Sequence, residues 1–197
     1  FNAKGGFVHV ADRHIAPGKK QWTWGNHPFG FAWDRALTDS NGPYIELMAG
    51  VYTDNQPDFS YLAPFETKCF SQFWWPIQQI GPVQQANEKA ALRMVVREDR
   101  VIELGICVSE RIRGARVVVR HRDRVVLDMG VDLSPGMSFW NESLRFDGEN
   151  AEELCCFIES AEGEILLGHR PVDRAVLTKD REQAVEPPPA EEVASSD

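Results

Sequence analysis

The chain has 197 residues, a formal net charge of −9 and a sequence pI near 5.1. This acidic balance argues against a general nucleic-acid binder, which needs a basic face to displace counterions from phosphates, and it disfavours binding to an anionic membrane. No apolar run approaches the roughly 20 residues that span a bilayer. We therefore expect neither nucleic acid nor a membrane as a partner.

The cysteines are Cys69, Cys107, Cys155 and Cys156, and their spacing fits no CxxC metal knuckle. We interpret them as buried free thiols in a reducing compartment. The opening stretch FNAKGGFVHV lacks a cationic start followed by a long apolar core, so no signal peptide is predicted. Together these features predict a cytoplasmic protein. Because the chain does not begin with Met, we expect it to be a fragment whose upstream part is missing.

Residues 1–84 hold most of the aromatic side chains and are predicted to form strands joined by long loops. No segment shows a sustained helical period, and turn-rich stretches such as APGK and TDSNGP divide the apolar runs. The polar stretch Gln78–Ala90, with Gly81-Pro82, predicts a domain boundary near residue 85. The predicted strands are Gly6–Val10, Lys20–Trp24, Gly30–Trp33, Tyr44–Tyr52 and Cys69–Ile77.

Residues 85–177 contain seven short segments rich in β-branched residues, separated by turn signals such as EDR, SPG and DGEN. This spacing predicts an antiparallel two-sheet β-sandwich of immunoglobulin or fibronectin-III type. Residues 178–197 include three consecutive prolines and several acids, so we predict a disordered acidic tail or linker. The predicted fold class is all-β.

The stretch from Trp24 to Tyr44 mixes aromatic, amide, carboxylate and guanidinium groups, which is the combination that a sugar site needs. Aromatic faces pack on the C–H faces of a pyranose, while polar groups bond its hydroxyls. The same residues also suit a hydrophobic core flanked by turns, and the sequence leaves both interpretations open. The candidate sugar-binding residues are Trp24, His27, Trp33, Arg35, Tyr44, Asp54, Asn55 and Gln56.

Glu46 is the main candidate for chemistry, with Asp34 as its partner. If Tyr44–Tyr52 is a strand, Tyr44, Glu46 and Met48 share one face. A carboxylate buried there without partners costs several kcal/mol, so Glu46 lies either on a solvated face or in a site. Glycoside hydrolysis needs two carboxylates, about 5 Å or roughly 6.5–9.5 Å apart, for which Glu46 pairs with Asp34 or Asp54.

Sugar epimerisation instead needs a base and an acid on either side of the anomeric centre. Glu46 serves as the base in this hypothesis, with His27 or an absent histidine as the acid. A hard cation held by the nearby aspartates is a further alternative, but no calcium-loop spacing appears. We predict neither a metal nor a cofactor.

The string YIEL…TDNQPDF…LAPFETKCF resembles the closing part of the galactose mutarotase-like β-supersandwich of aldose 1-epimerases. The resemblance places Glu46 on the catalytic Glu of those enzymes and Asp54–Asp58 on their polar segment. It also places Leu62, Pro64 and Glu66 on a Leu-x-Pro-Gly-Glu turn, in which Phe65 replaces the glycine. The acidic histidine of the epimerases lies in their earlier half, and His9, His14 and His27 do not match its motif.

A longer resemblance, through WDRALTD, GPYIELMAGVYTDNQPDFS and FWWPI, is to an uncharacterised bacterial family. That family places a mutarotase-like domain of unknown function before tetratricopeptide repeats. It implies a missing N-terminal part of the same domain and protein partners bound through downstream repeats. We also expect residues 1–84 to expose apolar sheet that the missing part would cover.

The resulting hypothesis is a carbohydrate-binding, mutarotase-like module of a larger carbohydrate-active bacterial protein, with a sugar or glycan as ligand. One alternative is a fragment, inactive alone, of a glycosidase or epimerase that uses Glu46 as acid or base. Another is a non-catalytic scaffold linked to protein-binding repeats. A separate cluster of arginines consists of Arg111, Arg113, Arg116, Arg120, Arg122 and Arg124. We interpret it as a solvated sheet face that offsets nearby acids, and a site for an anionic ligand is the alternative.

Overall fold

The computed structural model describes residues 4–40, 42–54, 58–148 and 150–170. Over these ranges the protein is all-β, with one α-helix and one short 3₁₀ helix, which confirms the predicted fold class. In this part of the chain no helix has the length and apolar character needed to traverse a bilayer. The predicted tail, residues 178–197, and the end of the predicted sandwich lie outside the described residues.

The first region consists of two antiparallel strand pairs. Strand β1 (Gly5–Ala11) pairs with β4 (Gln72–Gln78), and β2 (Gly18–Trp22) pairs with β3 (Glu46–Gly50). These strands lie where four of the five predicted strands were placed, with ends shifted by one to three residues. The helix α1 (Pro28–Leu37) lies between β2 and β3 in the chain.

The predicted strand Gly30–Trp33 is wrong, since these residues belong to α1. Pro28 occupies the first turn, where the missing N–H costs nothing and the fixed φ suits a helix. Gly30 allows the helix to approach the preceding loop, because a Cβ on it would lie 2.3 Å from the Gly25 carbonyl oxygen. The helix ends at Leu37, and the Thr38 N–H donates to the Asp34 carbonyl at 2.9 Å.

The first region exposes many large apolar side chains, as expected from the sequence. They occur on both strand pairs, on α1 and in the loop 58–71: Phe7, Trp22, Phe29, Phe31, Trp33, Leu37, Ile45, Leu47, Phe59, Tyr61, Leu62, Phe65, Phe70, Phe73 and Trp74. Exposed apolar area of this extent is typical of an interaction surface rather than of a free monomer surface.

The second region is a sandwich of two four-stranded antiparallel sheets, in the orders β10-β7-β6-β5 and β12-β11-β8-β9. Each of the seven predicted segments forms a strand, β5 adds an eighth that was not predicted, and the antiparallel two-sheet arrangement is confirmed. The strands are β5 (Gln85–Ala86), β6 (Ala90–Val96), β7 (Val101–Val108), β8 (Ile112–His121), β9 (Arg124–Leu133), β10 (Phe139–Arg145), β11 (Leu154–Glu159) and β12 (Ile165–His169).

The main hydrophobic core lies between these sheets. Leu92 and Leu104 come from one sheet, and Val117, Leu154 and Ile158 from the other; all five are fully buried. Burial of each such side chain contributes about 1.5–3 kcal/mol. Among the described residues, no polar or charged residue is classed as buried.

Three of the cysteines lie in this region as buried free thiols, as predicted: Cys107, Cys155 and Cys156. Burial raises the pKa of the Cys156 thiol to about 12, which makes it unreactive at neutral pH. The prediction is wrong for Cys69, which is exposed in the loop before β4.

A second, smaller core joins the two regions. Its buried members are Val8 and Trp75 from the first strand pair, Ile80 from the connection, and Ala91 and Cys107 from the sandwich. The Trp75 indole N–H also donates to the Asn87 carbonyl at 3.1 Å. The first strand pair therefore packs directly on the sandwich.

Candidate functional site

The residues Asp34, Tyr44 and Glu46 form a connected group. The Tyr44 hydroxyl donates to Glu46 Oε1 at 3.1 Å, and the Tyr44 backbone N–H donates to Asp34 Oδ1 at 3.1 Å. All three residues are half-buried, while Ile45 and Leu47, on either side of Glu46 in the chain, are exposed. This alternation is the one predicted from the sequence, and it places the two candidate carboxylates on either side of Tyr44.

The two carboxylates have different environments. Asp34 lies on α1 and uses one oxygen to hold the backbone of Tyr44, so it fixes the helix to the start of β3. The Glu46 carboxylate accepts a hydrogen bond from the Tyr44 hydroxyl, and this bond orients the carboxylate. The hydrogen bond to Glu46 is the main cause that raises the pKa of Tyr44 above 10.0, and burial and the negative charge of Glu46 add to it. The phenol therefore stays protonated as a donor to Glu46 at neutral pH.

Four aromatic rings lie beside this group and form a cluster. Trp24 stacks on Trp33 with centroids 4.6 Å apart and planes 11° from parallel. The Trp22 ring meets Trp24 edge-on at 4.7 Å, and Phe29 contacts both Trp24 and Trp33 edge-on. Trp24 is thus the half-buried centre of the cluster, and Trp22, Phe29 and Trp33 are its exposed members.

The strand register brings this cluster next to Glu46. Trp22 is the antiparallel partner of Glu46, so the two side chains lie on one face of the sheet. Trp22 and Phe29 were absent from the predicted site. The alternation of Trp22 and Trp24 in QWTW was the available signal for Trp22, whereas Phe29 required knowledge of the helix.

The remaining predicted residues lie outside this group. His27 is the N-cap residue of α1, although its side chain makes no capping bond, and Arg35 is exposed in the last turn of the helix. Asp54 is exposed, and its backbone carbonyl accepts a hydrogen bond from Lys20 Nζ. Asn55 and Gln56 lie outside the described residues.

The site has unsatisfied hydrogen-bonding capacity. Trp24 Nε1, at the centre of the aromatic cluster, is buried and has no hydrogen-bond partner among the described residues. An unpaired buried donor costs roughly 1–3 kcal/mol. Within the same ranges, no three His, Cys, Asp or Glu side chains come together to hold a metal ion.

Three of the six arginines in the cluster on the sandwich form ion pairs with carboxylates. Arg116 pairs with Asp128 and Glu159, Arg122 with Glu153, and Arg124 with Asp147. These pairs join neighbouring strands and turns on exposed surface. They support the interpretation of the cluster as a charge-balanced sheet face.

Comparison with family models gives two matches that follow one another along the chain. Residues 1–77 match the model described as Domain of unknown function (DUF5107), and residues 85–169 match the model described as YphG-like protein, second domain. No solved structure gives a significant match to the chain. The chain therefore joins a region similar to DUF5107 to a region similar to the second domain of YphG-like proteins.

Proposed function

We propose that residues 1–84 form a carbohydrate-binding, mutarotase-like module of a larger carbohydrate-active bacterial protein. The supporting observation is the arrangement around Glu46, whose carboxylate is oriented by the Tyr44 hydroxyl and lies on the same sheet face as Trp22. An oriented acceptor beside exposed indole rings suits a pyranose, which needs a hydrogen-bond partner for its hydroxyls and a flat apolar surface for its C–H face.

In this proposal Trp22 and Trp33 provide the stacking surface, since Trp24 is enclosed by its neighbours. Glu46 accepts hydrogen bonds from sugar hydroxyls, and Asp34 has a positioning role through Tyr44. If the parent protein catalyses a reaction, Glu46 acts as the acid or base, and its partner comes from an upstream segment of the same domain. The resemblance to aldose 1-epimerases supports this version of the proposal.

The exposed apolar residues of the first region favour a second candidate, a non-catalytic scaffold. Side chains on both strand pairs and on α1 expose apolar area that a folded partner would cover. In this version an upstream segment of the same domain covers that area, and downstream repeats bind proteins in the cytoplasm. The two candidates differ in the role of Glu46: the carbohydrate-binding module needs its carboxylate to bind sugar, and the scaffold does not.

Calorimetric titration of the chain with mono- and disaccharides selected on a glycan array tests the proposal. Trp33→Ala and Glu46→Gln should each raise the Kd about tenfold, since loss of stacking or of a charged hydrogen bond costs roughly 1–3 kcal/mol. Glu98→Gln makes the same change in an exposed turn of the sandwich and is the control. Absence of affinity for any sugar would rule out the carbohydrate function.

The catalytic version is tested on the longer parent protein. There, Glu46→Gln should abolish turnover while sugar binding decreases far less than turnover. Equal turnover in the Glu46→Gln and Glu98→Gln variants would leave the scaffold function as the better account.

A further inference from the structure

Two openings lie next to each other on the side of β1 and β4, and neither contains Glu46 or Asp34. The larger has a volume of about 740 Å³ and lies where the first region meets the sandwich, between Lys4, Phe7, Gln78, Gln79 and Trp140. The smaller has a volume of about 240 Å³ and lies between the two strand pairs, lined by Phe7, His9, Lys19, Lys20 and Trp74 among others. Phe7 lines both, so we treat them as one cleft, the junction cleft.

The junction cleft has a charge opposite to that of the chain. The chain has 30 Asp and Glu against 21 Lys and Arg, yet the cleft is lined by Lys4, Lys19 and Lys20 and by no carboxylate. In the described part of the chain, neither Lys4 nor Lys19 forms a salt bridge. A local excess of cations within an acidic protein favours an anionic ligand.

Aromatic rings run along the cleft. Phe7 and Trp74 lie with centroids 5.6 Å apart, and Trp140 of β10 lines the larger opening. All three rings are exposed by about two-fifths or more, at 45%, 43% and 40%. The Trp140 indole N–H donates to Glu142 at 3.3 Å, which leaves the ring faces as its available surface. Exposed rings in series suit the C–H faces of consecutive sugar units.

A hydrogen-bond chain fixes the polar atoms of the smaller opening. Gln72 Nε2 donates to the Ala49 carbonyl at 3.0 Å, so Gln72 Oε1 is the acceptor in its 2.7 Å contact with His9 Nε2. His9 Nε2 therefore carries a proton, and Nδ1 is the ring nitrogen outside this network. The His9 ring stacks on Trp74 at 3.8 Å, which holds it in place.

The larger opening also contains strained backbone. Gln79 has φ +62°, in the left-handed region that L-residues rarely adopt, and its N–H donates to the Lys4 carbonyl at 2.6 Å. Residues held in this region concentrate at ligand sites, where surrounding contacts enforce the conformation. Here the conformation places two adjacent glutamines, Gln78 and Gln79, along the cleft.

We propose that the junction cleft binds an acidic oligosaccharide, with uronate carboxylates at Lys4 and Lys19 and sugar faces on Phe7, Trp74 and Trp140. The inference deepens the proposed function and rests on it for the saccharide character of the ligand, but it uses different residues. The combined volume of the two openings exceeds that of one pyranose.

The test is calorimetry of the whole chain with oligogalacturonate, oligomannuronate and hyaluronan oligosaccharides, each against its methyl-esterified form. The acidic forms should bind at least about tenfold more tightly, with an affinity that falls as salt increases. Lys19→Gln should weaken binding severalfold and reduce the salt dependence. Arg113→Gln, the same charge change on exposed β8, should have no effect.

Trp140→Ala should raise the Kd about tenfold, whereas Phe65→Ala, which removes a fully exposed ring outside the cleft, should leave it unchanged. Because Trp140 and Ile80 both pack closely over Gly105, the Trp140→Ala variant requires a circular dichroism check of folding, and Lys19→Gln remains decisive if Trp140→Ala unfolds. Tighter binding of oligoglutamate than of any uronate would instead identify an acidic peptide site.

Equal affinity for acidic and esterified oligosaccharides, or equal effects of Lys19→Gln and Arg113→Gln, would overturn the inference while leaving the Glu46 site standing. The opposite outcome, in which the cleft binds its ligand and the Glu46 site does not, is distinguishable from this one. Oligouronate binding that depends on Lys19, together with no affinity of the unchanged chain for neutral mono- and disaccharides, would support the cleft and contradict the proposed Glu46 site.

Discussion

Phe65 adopts an unusual conformation at the tip of the loop between β3 and β4. It is fully exposed and has φ +67°. The turn around it is closed by two bonds: the Ala63 N–H donates to Glu66 Oε2 at 2.7 Å, and the Glu66 N–H donates to the Ala63 carbonyl at 2.9 Å. Pro64 precedes Phe65 in the turn, a combination in which glycine is the usual residue at the left-handed position. The turn therefore holds a bulky ring in solvent at a conformational cost.

Phe65→Gly should raise the free energy of unfolding by about 1 kcal/mol, because glycine adopts positive φ without the steric penalty of a Cβ. The ring makes no buried contact whose loss would offset this gain. Phe59→Gly, at an exposed position without positive φ, should instead lower stability by roughly 0.5–1 kcal/mol through added chain entropy. Urea unfolding of both variants measures the difference, and equal effects would contradict a strained turn.

Single residues in the candidate site were predictable to different degrees. The alternation in YIELM was enough to place Tyr44 and Glu46 on one face, because a strand has a period of two residues. The stack of Trp24 on Trp33 was not predictable, since it depends on α1 bringing Trp33 back onto the loop after β2. Pairwise geometry of this kind comes from tertiary packing rather than from local pattern.

Among the elements, α1 shows why a short apolar stretch is ambiguous. The run GFAW suits a strand or a helix, and periodicity does not separate them over four residues. Pro28 followed by nine helical residues was the stronger signal, because proline at the start and helix-compatible residues after it favour a helix. Because apolar residues of the helix are exposed, namely Phe29, Phe31, Trp33 and Leu37, its sequence lacks the usual division into an apolar and a polar face.

The pairing of β8 with β9 is strengthened by Arg116, which bonds Asp128 across the two strands. The hydrogen bond from Arg116 is the main cause that lowers the pKa of Asp128 below its ordinary value of 3.8. A carboxyl with a lowered folded-state pKa adds stability above its unfolded-state pKa, and this contribution disappears as the pH falls through the folded-state value.

Arg116→Gln should therefore lower the free energy of unfolding by a constant amount above about pH 5, and the difference from the unchanged protein should shrink as the pH falls below 3.8. Added salt should also shrink the difference, because the pair is exposed. Urea titrations across this pH range measure the effect, with Arg113→Gln on the same strand as control. A difference that stays constant down to pH 2 would mean that Arg116 acts through packing rather than charge.

At the scale of the whole molecule, the smaller core couples the two regions. Ile80 is 1% exposed and lies between Trp75 of β4 and Cys107 of β7 in that core. Gly105 permits this packing, because a Cβ on it would lie 2.8 Å from Ile80 Cβ. The connection between the regions is thus a packed element rather than a free linker.

Ile80→Ala should lower the free energy of unfolding by about 2–5 kcal/mol, as expected for a large-to-small change in a packed core. Unfolding followed by tryptophan fluorescence reports mainly on the first region, which has five of the six tryptophans, while the far-ultraviolet dichroism reports on all strands. We expect the fluorescence and dichroism unfolding curves to coincide in the unchanged protein and to separate in the Ile80→Ala variant. Ile45→Ala, at an exposed position, should cost less than about 1 kcal/mol.

The sandwich was more predictable than the first region for a physical reason. Its strands follow one another with short turns, and their β-branched runs are buried between two sheets of the same region. In the first region β1 pairs with β4 across more than sixty residues, and much of its apolar surface faces solvent. Local pattern identifies such strands, but it does not identify their partners or their ends.

The position of Cys69 gives the protein a chemical handle. It is the exposed one of the four thiols, and the other three are enclosed in the packed interior. A maleimide fluorophore should therefore attach at one position, close in sequence to the start of β4. Energy transfer from the tryptophans to that dye would then follow, in a single labelled preparation, whether a ligand or a covering segment changes the spacing between the two strand pairs.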